Sequence, residues 1–454
     1  MKRICLVYPN GMRLPRYFRY ATNISTDTIE TLPPMGLLYI IGNSKRQIDF
    51  IDNRIKKYGF EQLCQILMQY DIIGFGGTIF EIKEARRLSA HLIKSGKTTL
   101  YGGPNATVNW RLYLGQFSVI WRGEAELMFD KAVENIDGLE QVGFTRIGGS
   151  YVNLDTFRVK ELDGLRFPDR TKIRLDDYRR QEFHFLGDIQ PIDIVVTSRG
   201  CPFDCYFCSS KIIWDRKYTY RSARNVMEEI GFMKETHGTK GLYFREDNFT
   251  TNRRRLIEFC EGVKDFKLVW LCESRVDTLD EEVVKRMADS GCRAIWFGIE
   301  AADDAVLKRI GKGITVEQIR RAINLCNENG ITTGGAFMIG FPFDDKESII
   351  KNYQSSKKLG LGNRSYNRVW AVPISQMYNE IINEGLDDYS FENIILPATR
   401  HLSADQLNKL YYRLISRKSM VRRFGLKMLG QKNVRYLRTK FPSLYKAASK
   451  LLQS

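Results

Sequence analysis

The sequence predicts an α/β protein made of two parallel-sheet units in series: a doubly wound unit, then a partial (β/α)6 barrel, with a basic helical tail behind them. Three observations predict it. Apolar runs alternate with amphipathic stretches over the first 135 or so residues, and a second alternating series starts near residue 191. Alternation at that spacing is the signature of parallel βα units. At 454 residues the chain is also too long for one compact core, so two domains plus extensions are expected. The third observation is charge: of a net +17, the stretch Lys409–Ser454 carries +13, with no Asp or Glu, and the rest of the chain only +4.

Strand candidates in the first series are Arg3–Tyr8, Ile48–Asp52, Asp71–Gly76, Thr98–Gly102 and Ser118–Arg122. Between them lie helical patterns such as Glu81–Lys94, with apolar residues at Ile82, Ala85, Leu88 and Leu92. Doubly wound sheets bind ligands at the carboxyl ends of their strands. Those ends here read Gly74-Phe75-Gly76-Gly77-Thr78, Gly102-Gly103-Pro104-Asn105-Ala106-Thr107 and Arg122-Gly123-Glu124. Glycines let a backbone approach a large ligand closely, or they simply make tight turns. Residues 136–190 lack clear periodicity and read as a linker packed between the domains.

The second series offers strands at Asp193–Thr197, Gly241–Phe244, Leu268–Cys272, Ala294–Gly298, Gly334–Ile339 and Arg368–Val372. Helical stretches Asn225–Thr236, Asp280–Ser290 and Val316–Asn329 lie between them. Six strand–helix units make a partial barrel whose chemistry belongs at the carboxyl-terminal strand ends. Directly after its first strand comes Cys201-Pro202-Phe203-Asp204-Cys205-Tyr206-Phe207-Cys208, three cysteines at CxxxCxxC spacing.

Cysteine thiolates hold iron–sulfur cubes, usually four at a time, so a group of three leaves one iron open to a substrate or cofactor. The alternative is zinc, which needs four ligands, or three plus water. No further His or Cys lies close by in sequence, the nearest histidine being His184 and the nearest cysteine Cys260. The chain's nine cysteines are odd in number and the other six (Cys5, Cys64, Cys260, Cys272, Cys292 and Cys326) are scattered, which opposes a disulfide framework and suits small core residues. Charged groups stand where later strands should stop: Arg245-Glu246-Asp247, Glu273-Ser274-Arg275 and Glu300. Carboxylates and an arginine gathered at one sheet's ends suit a zwitterionic, polar ligand.

On these residues the chain resembles the radical S-adenosylmethionine (SAM) enzymes, and more narrowly the subgroup with an N-terminal cobalamin-binding, Rossmann-like domain. The cysteine loop resembles the family hallmark. Leu242–Thr250, Trp270–Asp277, Gly298-Ile299-Glu300 and Phe337–Pro342 resemble its successive barrel motifs. Leu32–Tyr39, Asp71–Thr78, Gly102–Thr107 and Arg122–Glu126 resemble the cobalamin domain, and Leu165–Arg170 the segment between the two. The resemblance implies domains at 1–137 (cobalamin), 138–190 (linker) and 191–380 (radical SAM barrel), with a helical basic region at 381–454.

It also implies roles. Cys201, Cys205 and Cys208 would ligate a [4Fe–4S] cluster whose open iron chelates SAM, giving a 5′-deoxyadenosyl radical that abstracts hydrogen. Phe207 would lie beside the adenine, Glu246 and Asp247 near the methionine amine, and Glu273, Ser274 and Arg275 at the ribose or carboxylate. Glu300 and Ile339 would border the adenosine. Thr78, Gly102, Gly103, Pro104, Thr107, Gly123 and Glu124 would contact cobalamin. Since no Asp-x-His-x-x-Gly motif is present, cobalamin would bind without a histidine ligand. The implied activity is methylation of an unactivated carbon or of phosphorus. Cyclisation, rearrangement or oxidation on the same architecture is the alternative, and a basic binding module with a structural or electron-transfer metal site a more distant one.

Partners implied are a small-molecule, lipid or peptide substrate and a low-potential electron donor such as flavodoxin or ferredoxin. No apolar run reaches the ~18 residues of a membrane span, and the start Met1–Tyr8 is too short for a secretory signal, so a cytoplasmic location is expected. The basic tail mixes apolar and cationic residues, as helices do that touch anionic membranes or nucleic-acid phosphates, or that pack on the barrel with a solvated face.

Overall fold

A computed structural model describes residues 2–11, 32–178, 189, 191–386, 390 and 395–415. Seven strands build the first sheet: β1 (Ile4–Tyr8), β2 (Ile48–Asp52), β3 (Ile72–Phe75), β4 (Thr98–Tyr101), β5 (Val119–Ile120), β6 (Thr145–Ile147) and β7 (Ser150–Val152), in the order β2-β1-β3-β4-β5-β7-β6. All neighbours are parallel except the terminal β6–β7 pair. The five expected strands are present. The sheet nevertheless runs past the boundary expected at residue 137, because β6 and β7 come from the stretch read as linker. Both are three residues long, too short to show a period in sequence. Two apolar layers cover the faces, one including Leu63, Leu67, Leu88 and Tyr113, the other Leu37, Ile41, Trp121 and Phe129.

The second sheet holds β8 (Ile192–Val195), β11 (Gly241–Phe244), β12 (Val269–Ser274), β13 (Cys292–Glu300), β14 (Thr332–Ile339) and β15 (Asn363–Arg368), all parallel and in chain order from one edge to the other. That is the expected six-stranded partial barrel. Between β8 and β11, β9 (Ser198–Arg199) and β10 (Thr219–Tyr220) form a small antiparallel pair that brackets the cysteine loop. One expectation is corrected: the sixth strand is Asn363–Arg368, not Arg368–Val372. An edge strand is half exposed and tolerates the polar sequence NRSYNR. The apolar run that drew the expectation instead buries Val369 and Ala371 beneath Phe341 and Met377 at the strand's carboxyl end.

The barrel's outer core centres on Trp270, ringed by Phe244, Phe249 and Phe259 at centroid distances of 5.4–5.7 Å. The six scattered cysteines are all buried, as small core residues would be. The barrel's inner face is filled differently. Met35, Leu38 and Tyr39 of the helix Met35–Asn43 join Ile194, Tyr243, Leu271 and Ala294 from four barrel strands. An element of the first domain thus plugs the second.

Arg170 from the linker fixes that docking. It lies 3.0 Å from Asp193 and 2.6 Å from Glu229, and Glu229 also pairs with Arg221. All four side chains are buried. Of the basic tail, the helix at residues 404–415 packs Leu407, Leu410 and Tyr411 against Ile339 and Ile349. The remainder of the tail, residues 416–454, lies outside the described residues. No helix among the described residues is long and apolar enough to cross a membrane.

Candidate cofactor site between the two sheets

The carboxyl ends of the two sheets face one cavity of about 770 Å³. All seven residues expected to contact cobalamin line it: Thr78, Gly102, Gly103, Pro104, Thr107, Gly123 and Glu124. Ser198, Arg199 and Gly200, which lead into the cysteine loop, line the opposite wall with Glu246, Asp247 and Glu273. Two groups read separately in sequence therefore face each other across one space.

Local structure sets each wall. On the first, Thr78 donates through its backbone N and hydroxyl to Glu81 Oε2, at 2.7 and 2.8 Å. Thr107 Oγ1 donates to Gly103 O and accepts from Gly123 N, tying two of the glycine turns together. Gly123 has φ +86°, and a Cβ there would stand 2.3 Å from Phe157 O, so only glycine closes this turn. Glu124 and Glu126 both pair with Arg199, the second at 2.8 Å, and all three side chains are at most 10% exposed. This bridge joins the first domain to the strand that precedes the cysteines.

The cysteine loop is bound tightly. Glu246 Oε1 accepts from Thr197 N and Ser198 N, and Glu246 Oε2 bonds the Ser198 hydroxyl. Expected beside an amine, this carboxylate is largely committed to holding the loop's entry. Cys205 is buried, with Cys201 and Cys208 partly so. Burial raises the Cys201 thiol above its ordinary range and pushes Cys208 up to about 12. Buried thiolates need a positive partner, which iron supplies. Among the described residues no three His, Cys, Asp or Glu side chains converge on a single metal ion.

Arg275 stacks on Phe203 at 3.7 Å, lies 3.9 Å from Cys205 Sγ, and is held by Asp277 and the Lys312 carbonyl. Asp247 accepts from Ser210 Oγ at 2.7 Å. Burial, with Glu246 and Glu273 nearby, holds its carboxyl above the usual range. Glu273 accepts from Tyr243 Oη.

The remaining expected SAM contacts are placed less directly. Ser274 sits in a buried hydroxyl set with Thr250 and Asn248, and Ile339 packs outward against the helix at 404–415. Phe207 lies 6.3 Å from Phe341. Glu300 pairs with the buried Lys312 at 3.3 Å, and Lys312 lies 5.8 Å from the Phe207 ring centroid. Sequence reading passed over Lys312; its placement between Gly311 and Gly313, after Glu300, was the only signal. Arg199 and Arg158 were also missed as site residues, since their partners lie far away in the chain.

Gly200 immediately precedes Cys201, with φ +86°, and a Cβ there would stand 2.0 Å from Lys217 O and 3.0 Å from Trp214 Cβ. Gly200→Ala should therefore displace the loop. We expect iron incorporation per chain, measured after anaerobic reconstitution, to fall severalfold; full incorporation would show that the loop absorbs the methyl group.

Residues 195–355 match the model of the radical SAM superfamily. The chain thus carries a radical SAM domain, with an α/β domain ahead of its barrel. It is similar to an uncharacterised methyltransferase of Pyrococcus horikoshii, 28% identical over 407 residues, spanning 84% of this chain and 86% of the relative. The anaerobic magnesium-protoporphyrin IX monomethyl ester cyclase of Rubrivivax gelatinosus is 28% identical over 401 residues, 82% of this chain and 71% of the relative. The fold matches that of TsrM, a radical SAM methyltransferase from Kitasatospora setae solved with cobalamin and a [4Fe–4S] cluster. The TM-score is 0.67 at 15% identity, covering 90% of this chain and 82% of that one.

Proposed function

We propose that this protein is a cobalamin-dependent radical SAM methyltransferase acting on an unactivated carbon, or on phosphorus, of a small-molecule substrate. One observation carries the reading: a single cavity is lined on one wall by the glycine turns of the first domain and on the other by the entry to the cysteine loop. A methyl carrier and a radical source must act on the same substrate, and this arrangement allows it. When bound, the cluster supplies the electron that cleaves SAM, and cobalamin relays the methyl group from a second SAM.

The chain's own residues bind, orient and exclude water. Cys201, Cys205 and Cys208 would hold the cluster, with Arg275 beside Cys205 and Glu246 fixing the loop. Asp247 and Glu273 would meet the amine and hydroxyls of SAM from the cavity wall, and Lys312 and Phe207 would bound the adenosine side. Thr78, Gly102, Gly103, Pro104, Thr107, Gly123 and Glu124 would cradle the corrin. Leu37, Trp121 and Phe129 give the deeper cavity an apolar lining that keeps water out. A low-potential donor such as flavodoxin or ferredoxin would reduce the cluster, in the cytoplasm.

The resemblance to the Rubrivivax cyclase supports a second reading, the same machinery without methyl transfer. Incubating the reconstituted enzyme with cobalamin and methyl-labelled SAM separates the two. Labelled methylcobalamin together with S-adenosylhomocysteine is the expected result; 5′-deoxyadenosine with neither of them would favour the cyclase-like reading.

A further inference from the structure

One part of the cavity wall is formed by Arg158 and Trp214. Arg158 lies just past the Gly123–Phe157 bridge, and its neighbour Val159 donates from its backbone N to Glu124 Oε2 at 2.6 Å. Its backbone is therefore fixed to the glycine turn. Across the cavity, the guanidinium packs on the Trp214 ring at 4.9 Å. Trp214 ends the short helix Ser210–Trp214 that follows the third cysteine, and Arg158 and Trp214 both line the cavity. Arg158 Nη1 is buried and has no hydrogen-bond partner among the described residues. Burial lowers the Arg158 pKa, against smaller opposing influences of Glu124 and Asp215.

On the same cavity, Glu126 presents the complementary defect. Its Oε1 is 2.8 Å from Arg199 Nη2, while its Oε2 is buried without a partner among the described residues. The Glu126 side chain is 6% exposed. An unsatisfied buried donor and an unsatisfied buried acceptor are each costly, and native proteins rarely keep them unless a ligand completes the bonds.

We propose that Arg158, braced by Trp214, and Glu126 Oε2 are contacts for the carboxamide fringe of the corrin ring. This rests on the cobalamin reading above and deepens it. A carboxamide is neutral and carries both an acceptor oxygen and a donor nitrogen, so it can meet both Arg158 Nη1 and Glu126 Oε2. Arg158 Nη1 donates to an amide oxygen, and Glu126 Oε2 accepts from an amide nitrogen.

The test is equilibrium binding, read from the cobalt chromophore. Hydroxocobalamin is titrated into cluster-reconstituted wild type, Arg158→Ala and Arg158→Lys, and the series is repeated with dicyanocobinamide, which keeps the ring amides but lacks the nucleotide tail. Arg158→Ala should weaken both ligands about tenfold, as expected for one lost charge-assisted hydrogen bond. Arg158→Lys, which keeps a cationic donor, should recover part of that loss. Iron content and the unfolding midpoint without cobalamin should stay at wild-type values. Equal affinities in wild type and Arg158→Ala would overturn this assignment while leaving the proposed function intact. A loss confined to hydroxocobalamin would overturn it in favour of the tail phosphate. Wild type that binds neither ligand would overturn both the assignment and the cobalamin reading.

Discussion

Cys205→Ala is expected to abolish both cluster retention and SAM cleavage. Cys205 is the buried member of the three cysteines, and its sulfur lies 3.9 Å from Arg275 Nη1, at the base of the loop. With one of three thiolates gone, two irons of the cluster would lack a protein ligand. Loss of a group that only supports a metal ligand typically costs 10–100-fold in affinity or activity, so loss of the ligand itself should exceed about 100-fold. Iron and sulfide analysis and 5′-deoxyadenosine formation under reducing conditions measure the two effects. Retained deoxyadenosine formation in this variant would remove the cluster from the account.

The second large effect concerns the joint between the domains. Arg199 stands between Glu124 and Glu126, and the three side chains are nearly sealed from solvent. It also lies over the Tyr39 ring at 5.2 Å, so it touches the helix that plugs the barrel. Arg199→Met keeps much of the packing but leaves two buried carboxylates without their ion-pair partner. Breaking a buried pair in this way costs about 3–5 kcal/mol, far more than an exposed bridge. Urea unfolding should show that loss. Adding Glu124→Gln and Glu126→Gln to Arg199→Met should restore part of it, because the penalty comes from the stranded charges. A loss below about 1 kcal/mol, or none recovered in the triple variant, would mean that the bridge is solvated and does not join the domains.

Much of this was legible in the sequence because strand–helix alternation is a local signal. Ten of the expected strands fall at or within a few residues of their observed positions, and the eleventh, Arg368–Val372, shows why one moved: apolar content marks burial, and at the end of β15 burial is achieved by packing outside the sheet. The glycine turns carried by short motifs were equally readable as a place in the fold. All seven residues expected at the cobalamin wall line the cavity, since glycine turns announce themselves by composition. The charged strand ends were harder. Glu246 is expected near the methionine amine, and its bonds to the distant Thr197 and Ser198, which tie it to the cysteine loop, have no local signal in the sequence. Arg158 and Glu126 had no local signal, because what singles them out is a missing partner, and that exists only in three dimensions.

The central claim is that the cluster, held by the cysteine loop beside the cavity's barrel wall, and cobalamin, held at the other wall, lie close to each other. The most direct measurement is electron paramagnetic resonance of the enzyme with its cluster reduced and its cobalamin in the Co(II) state. Spins facing each other across one cavity should couple, so both signals should broaden or split relative to samples loaded with only one centre. A spectrum that equals the sum of the two singly loaded samples would place the centres apart and contradict the account.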